Sequence, residues 1–318
     1  MPGSTNRSRI GLVADADAEL GYGHAVRCLR IARAFPGEAA IYPLSEDCRR
    51  FFEAAGFGSA VRDWKSEMFP EVMLTDLRES YAVTEAIQQQ GSIHVSIRDM
   101  GLSQCRSDIT IDGSVAHAIP YETDPGQTLF LGPQYMITRP VVDRVPEAEI
   151  EDTVFVTLGG GASAGFARQI AEQLRPFGLR VIATTGFGSN VRMPDAVIEH
   201  AMATCRFAIS TAGTTLYDLL ASGVPTIAVA VDPLQLRTAD AFHDLGATMS
   251  AGLLDRLSSG ELLERCNEIL GNRSLVSQMV STGQGLIDGK GLSRVVEIVR
   301  NPGREIWKIH QTLTSTHC

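Results

Sequence analysis

The chain has no dense run of Lys and Arg: 28 basic residues are scattered among 318 positions, and 37 acidic ones leave a net charge of −9. A nucleic-acid surface needs a basic face, so nucleic acid is not an expected partner. No apolar stretch approaches the roughly 20 residues that cross a bilayer, and the opening MPGSTNRSRI lacks the apolar core of a secretion signal. A cytoplasmic chain without an integral membrane segment is therefore expected. The six cysteines (Cys28, Cys48, Cys105, Cys205, Cys266 and Cys318) show neither CxxC pairing nor His partners at metal spacing. Reduced thiols are expected rather than a disulfide framework or a zinc site. The order of a Ser-His-Asp triad, the H-E-x-x-H pair and the kinase signatures are all missing, as are low-complexity tracts and solenoid repeats.

What is present is ordinary globular material, 44% hydrophobic and 20% charged with mean hydropathy +0.03. The length favours two domains over one. Short apolar runs at 10–14, 40–42, 72–75, 93–97, 109–111 and 129–131 read as strands. Helical patterns at 24–35, 48–55 and 80–90 fit between them. After the polar, Pro-containing stretch 139–152, expected to be an exposed linker, a second series begins. Its strands fall at 154–158, 180–184, 207–210 and 226–231, and its helices at 164–174, 214–221, 237–245, 260–270 and 293–299. Strands alternating with helices predict α/β architecture with parallel sheets.

Four constellations can carry chemistry. Gly21-Tyr22-Gly23-His24 follows the first strand and opens a helix, so His24 is either a general base at the ligand edge of the sheet or a helix-capping, packed side chain. Asp15 and Asp17 lie just before it. They are either turn formers or, for Asp15, the acceptor that fixes the His24 tautomer. Without a third ligand they do not make a metal site. Gly159-Gly160-Gly161, between a strand and a helix, is either a plain βα turn or a phosphate cradle, and it lacks the P-loop lysine. Ser210-Thr211-Ala212-Gly213-Thr214-Thr215 combines hydroxyls, amides and a helix N-terminus in a form that suits a diphosphate. Asp218, one turn on, is either a ribose acceptor or a first-turn acid, and Gln235 opens a further helix within reach of the same ligand.

Taken together, these stretches resemble the UDP-sugar hydrolases of pseudaminic-acid biosynthesis and the related surface-polysaccharide glycosyltransferases. The resemblance runs from Ala14-Asp15-Ala16 and Gly21-Tyr22-Gly23-His24-Ala25-Val26-Arg27 through Leu131-Gly132-Pro133-Gln134-Tyr135 and Val156-Thr157-Leu158-Gly159-Gly160. It continues through Ile209-Ser210-Thr211-Ala212-Gly213-Thr214-Thr215 to Gly223-Val224-Pro225-Thr226 and Gln235. It implies a GT-B fold, two Rossmann-like doubly wound domains (1–145 and 146–318) facing across a cleft, with the nucleotide on the second. It also implies an inverting reaction without metal or cofactor on a UDP-linked amino sugar, with His24 deprotonating water. Gly21, Tyr22, Gly23, Arg27, Asp76, Arg98, Asp99, Tyr135, Gly159, Gly160, Ser210, Ala212, Gly213, Thr214, Thr215, Asp218 and Gln235 would line the substrate.

The chain departs from the hydrolase pattern at Asp76-Leu77-Arg78, where a His-Tyr pair is expected after the Asp, and at Arg98-Asp99, where an Asp pair is expected. Gly161-Ala162-Ser163 lacks the Asp that follows the double glycine, and Leu234 replaces an Asn. Hydrolysis is the first reading, an inverting glycosyltransferase the alternative, and a non-catalytic nucleotide-sugar binding protein the third.

Overall fold

The computed structural model describes residues 9–16, 21–78, 82–102, 106–117, 121, 126–158, 170–184 and 193–303. They form two compact units, one from Met1–Ile137 with Lys290–Cys318 and the other from Thr138–Gly289.

The first unit is built on six parallel strands: β1 (Arg9–Ala14), β2 (Glu38–Pro43), β3 (Val72–Asp76), β4 (Ile93–Arg98), β5 (Ile109–Asp112) and β6 (Thr128–Leu131), in the order β2-β1-β3-β4-β5-β6. The strands are near-continuous apolar runs because both sheet faces are covered. Ile10, Leu12, Leu74, Val95 and Ile111 pack on one face against Ala25, Cys28 and Ile31 of α1 (Gly23–Ala34). Val13, Tyr42 and Met73 pack on the other against Val83 and Ile87 of α3 (Ala82–Gln90). Between them α2 (Glu46–Phe52) starts at Ser45, whose hydroxyl accepts from the Cys48 amide.

The second unit has the same winding: β7 (Thr153–Thr157), β8 (Arg180–Thr184), β9 (Phe207–Thr211), β10 (Thr226–Ala230) and β11 (Met249–Leu253), all parallel, in the order β11-β10-β9-β7-β8. Its helices are α4 (Asp195–Thr204), α5 (Thr214–Ala221), α6 (Pro233–Asp244), α7 (Ser259–Gly271) and α8 (Arg273–Leu286). The doubly wound α/β class read from the sequence is the fold observed. In each sheet the winding reverses between the first and third strands of the unit, and the carboxyl ends of those strands are where such sheets hold ligands.

Several expectations change. The last helix, α9 (Gly291–Arg300), belongs to the first unit, not to a 146–318 domain. Its Val295, Ile298 and Val299 fill the first core, Arg294 donates to the Gln134 carbonyl at 2.8 Å, and a Cβ on Gly291 would run into the Met136 carbonyl. The stretch 139–152 has exposed and half-buried residues and none buried, as expected, but it is fastened along the second unit and is not a free linker. Val142 N donates to Ser222 Oγ (3.1 Å), Val145 N to the Ala203 carbonyl (3.2 Å), and Arg144 to the Met202 and Cys205 carbonyls (2.9 and 2.7 Å). Helix α6 starts at Pro233, ahead of the 237–245 pattern but at the turn where Gln235 is expected to open a helix, because Asp232 caps it by accepting from the Leu234 and Gln235 amides. α4, α8 and β11 have no counterpart in the sequence reading. β11 carries Gly252 at φ +75 and a register shift against β10, which breaks the alternation that marks a strand. The expected helix at 164–174 lies mostly outside the described residues.

Candidate active site

Strand β1 ends at Ala14, paired with Asp76, the last residue of β3. After β1 the chain turns through Gly21 at φ +77 and enters α1, which places His24 in the first helical turn. His24 Nδ1 lies 2.6 Å from Asp76 Oδ1. Arg27, one turn further, reaches the same carboxylate through Nε (2.7 Å) and NH2 (2.7 Å). It also grips Asp99, just past β4, through NH1 (2.9 Å) and NH2 (2.8 Å). Asp76 is fully buried, whereas the Asp99 side chain is 41% exposed.

Burial alone would raise the Asp76 carboxyl, but the Arg27 guanidinium and His24 outweigh it and hold it at about 2. Burial likewise opposes the charge on Arg27, and Asp76 and Asp99 more than compensate, raising it further above its ordinary range. One guanidinium thus faces two carboxylates. Two carboxylates on one guanidinium leave Arg27 and its two acids with a formal surplus of one negative charge beside the imidazole. The Arg27 NH2 also lies 3.0 Å from His24 Nδ1. Since that nitrogen cannot both donate to Asp76 and accept from Arg27, the shorter contact assigns its proton to Asp76. Nε2 is then the basic nitrogen, and among the described residues it has no hydrogen-bond partner.

The sequence-predicted residues sort unevenly around this centre. Asp15, expected as the orienting acid, is not the partner of His24: its Oδ1 accepts from the Ala16 amide at 2.9 Å, a turn-forming role, and Asp76 takes the orienting one. Asp17 lies outside the described residues. Arg27 is buried and acts on the two aspartates instead of lining a ligand surface. Tyr135 is a core residue, 9% exposed and edge-on to Phe130. Tyr22 packs against Phe51 with ring centroids 5.7 Å apart, while Gly23 is exposed and a Cβ there would meet nothing within 4 Å. Arg98 is nearly buried over the Tyr121 ring, 5.7 Å from its centroid.

A neighbouring network was not foreseen. Asp112, fully buried at the end of β5, accepts from Tyr121 Oη (2.7 Å), the Gly101 amide (2.9 Å) and the Ser114 amide (2.8 Å). The only signal for it in the sequence was position, an Asp at a strand's carboxyl end.

In the second unit the expected anion site is the start of α5. Gly213 is its N-cap, no side chain caps it, and Thr214 and Thr215 are partly exposed. Among the described residues the amides of Gly213, Thr214 and Thr215 have no partner. Such an N-terminus, with the positive end of the helix dipole, suits phosphate. Its neighbours are already committed. Ser210 is fully buried and its hydroxyl donates to the Thr211 carbonyl (2.9 Å), and the Ala212 amide donates to Val229 (3.0 Å), so neither presents a donor to a ligand. Asp218 is also buried, accepting from the Arg139 amide (2.8 Å) and Nε (3.2 Å), which makes a clamp on the entering chain its observed role in place of a ribose acceptor. The Gln235 Oε1 accepts from Val231 N at 3.5 Å. Gly159 and Gly160 lie outside the described residues.

The four described cysteines, Cys28, Cys48, Cys205 and Cys266, are buried free thiols. Among the described residues no group of three or more His, Cys, Asp or Glu is placed to hold a metal ion, and no helix is long and apolar enough to cross a membrane.

No protein-family model matches the chain. It is 21% identical over 343 aligned positions to the spore coat polysaccharide biosynthesis protein SpsG of Bacillus subtilis (strain 168), across 92% of this chain and 98% of that protein. Among solved structures it is similar to the glycosyltransferase of kitacinnamycin, with a TM-score of 0.69 and 11% identity over 93% of this chain and 99% of the other. It is also similar to the glycosyltransferase VinC in complex with DTDP, with a TM-score of 0.59 and 13% identity over 92% of this chain and 100% of that one. These likenesses establish the fold, two parallel-sheet α/β units of the GT-B type.

Proposed function

We propose that the chain is an inverting, nucleotide-sugar-dependent glycosyltransferase, with His24 as its general base. The observation that carries this reading is the His24–Asp76 pair: an imidazole at the winding reversal of the first sheet, its Nδ1 fixed by a buried, ionised carboxylate and its Nε2 left without a partner among the described residues. A base of this kind takes the proton of an acceptor hydroxyl as that oxygen attacks the anomeric carbon. The bond from that carbon to the diphosphate breaks with its electron pair on the leaving oxygen, and displacement from the opposite face inverts the centre. The imidazolium formed is matched by the surplus negative charge that Asp76 and Asp99 hold over Arg27.

Taken by itself, the second unit offers a diphosphate site at the α5 N-terminus, where the amides of Gly213, Thr214 and Thr215 have no partner among the described residues. UDP is the nucleotide favoured by the sequence resemblance, and the DTDP bound to VinC marks deoxythymidine diphosphate as the second to test. The similarity to SpsG supports a polysaccharide building block as the substrate class.

The test is release of nucleoside diphosphate from a panel of UDP- and dTDP-sugars, with and without hydroxyl acceptors. Release that requires an acceptor supports transfer. Release of free sugar without one would shift the reading to hydrolysis, with water in place of the hydroxyl at the same His24 Nε2. Tight binding with neither outcome, or full activity in His24→Ala, would remove the proposed chemistry.

A further inference from the structure

The turn that follows β4 has an unusual backbone. Met100 stands at φ +57, a left-handed conformation disfavoured for a residue with a long side chain, and Gly101 follows at φ +73. Strain of this kind persists where the surroundings over-determine it. Here they do: the Met100 amide donates to Ser114 Oγ at 2.8 Å, the Gly101 amide to Asp112 Oδ2 at 2.9 Å, and the Leu102 amide closes back on the Asp99 carbonyl at 3.1 Å. Asp112 is itself fixed by Tyr121 Oη and the Ser114 amide, and Asp112, Ser114 and Met100 are all buried. The residue entering this turn is Asp99, which meets the Arg27 fork with both carboxylate oxygens although it is substantially exposed.

We infer that Asp112 and Ser114 are positioning residues for the active centre. They hold the strained Met100–Gly101 turn so that Asp99 stays locked on Arg27, and through Arg27 they fix Asp76 and the orientation of His24. This rests on the reading of His24 as the base. An exposed aspartate on an ordinary loop samples several rotamers and solvates freely, whereas one delivered by a pinned turn meets the guanidinium in a fixed two-pronged geometry. The two-pronged grip on Arg27, and with it the fixed position of Asp76 against His24, needs Asp99 in place, so the turn governs how the base is oriented rather than whether substrate binds.

The experiment compares wild type with Ser114→Ala, Asp112→Asn and Asp99→Asn, each first checked for folding by circular dichroism and thermal melting. The first readout needs no substrate: the downfield proton resonance of His24 Nδ1–H in its hydrogen bond to Asp76. Expected are a sharp resonance in wild type and its broadening or loss in folded Ser114→Ala, Asp112→Asn and Asp99→Asn. Where a turnover assay is in hand, kcat should fall about tenfold or more with KM changed less than about twofold. An unchanged resonance in folded Ser114→Ala and Asp112→Asn overturns the inference and leaves the His24–Asp76 pair standing. No resonance in wild type overturns the pair itself, and the inference with it. Unfolding of both turn variants also overturns it, because the turn would then serve the fold and not the site.

Discussion

The Nδ1 of His24 sits 2.6 Å from the Oδ1 of Asp76, although the two residues are 52 positions apart in the chain. Parallel pairing of β1 with β3 ends both strands at the same level, so the helix that follows β1 starts beside the last residue of β3. Neither residue reaches the other except through that sheet.

If this pair is the base and its orienting acid, His24→Ala should lower turnover by about 10²-fold or more. Asp76→Asn, which keeps the shape and loses the charge, should also lower turnover while leaving nucleotide affinity nearly unchanged. Steady-state kinetics with ligand titration decides between this and a purely structural role, in which affinity and activity fall together.

Arg27 compensates two carboxylates, one of them fully buried. Arg27→Met should therefore destabilise the first unit by about 3–5 kcal/mol, because Asp76 would be left as an uncompensated buried charge. Adding Asp76→Leu should recover part of that loss. Urea unfolding of the single and double variants measures both, and a double variant no more stable than Arg27→Met would contradict the account.

Acid stability should fall in two windows. His94 is buried, with Nδ1 donating to the Arg106 carbonyl (3.1 Å) and Nε2 accepting from Thr75 Oγ1 (2.9 Å), and burial pushes it from 6.5 down to about 4. An unfolded chain takes up that proton first, so the stabilisation is complete above pH 6.5 and is lost as pH falls towards 4. Asp76, ordinarily near 3.8 and held at about 2, contributes stability that is complete above about 4 and lost below it. The upper window is worth about 3 kcal/mol and the lower about 2 kcal/mol. Unfolding free energies at a series of pH values should show His94→Asn flattening the upper window alone.

The clamp between Asp218 and Arg139 makes a contrasting claim about the second unit. Asp218→Ala should cost about 1–3 kcal/mol by leaving the Arg139 amide unsatisfied. Its effect on nucleotide affinity should be small. A large loss of affinity at unchanged melting temperature would restore Asp218 as a ribose acceptor.

The sequence by itself determined the class of fold and the places where chemistry could occur. Apolar runs of strand length, separated by helical periods, admit little other than parallel α/β sheets, and the glycine turns after β1 and before α5 mark where those sheets expose helix N-termini. The placement of His24 in a first helical turn and of Gly213 at a helix N-cap was legible for that reason. Which acid serves His24 was not. Asp15 is near in sequence and Asp76 near in space, and only strand pairing makes the second kind of nearness. The same holds for Arg27, read as lining a ligand and found gripping Asp76 and Asp99, and for Ser210, whose hydroxyl turns to the backbone of its own buried strand. The last helix gave no sign in its amphipathic pattern of which core it would fill. That was decided by the close approach that Gly291 allows to the Met136 backbone. Local pattern is carried by neighbours along the chain, while charge pairing and helix docking depend on residues the chain brings together only once it has folded.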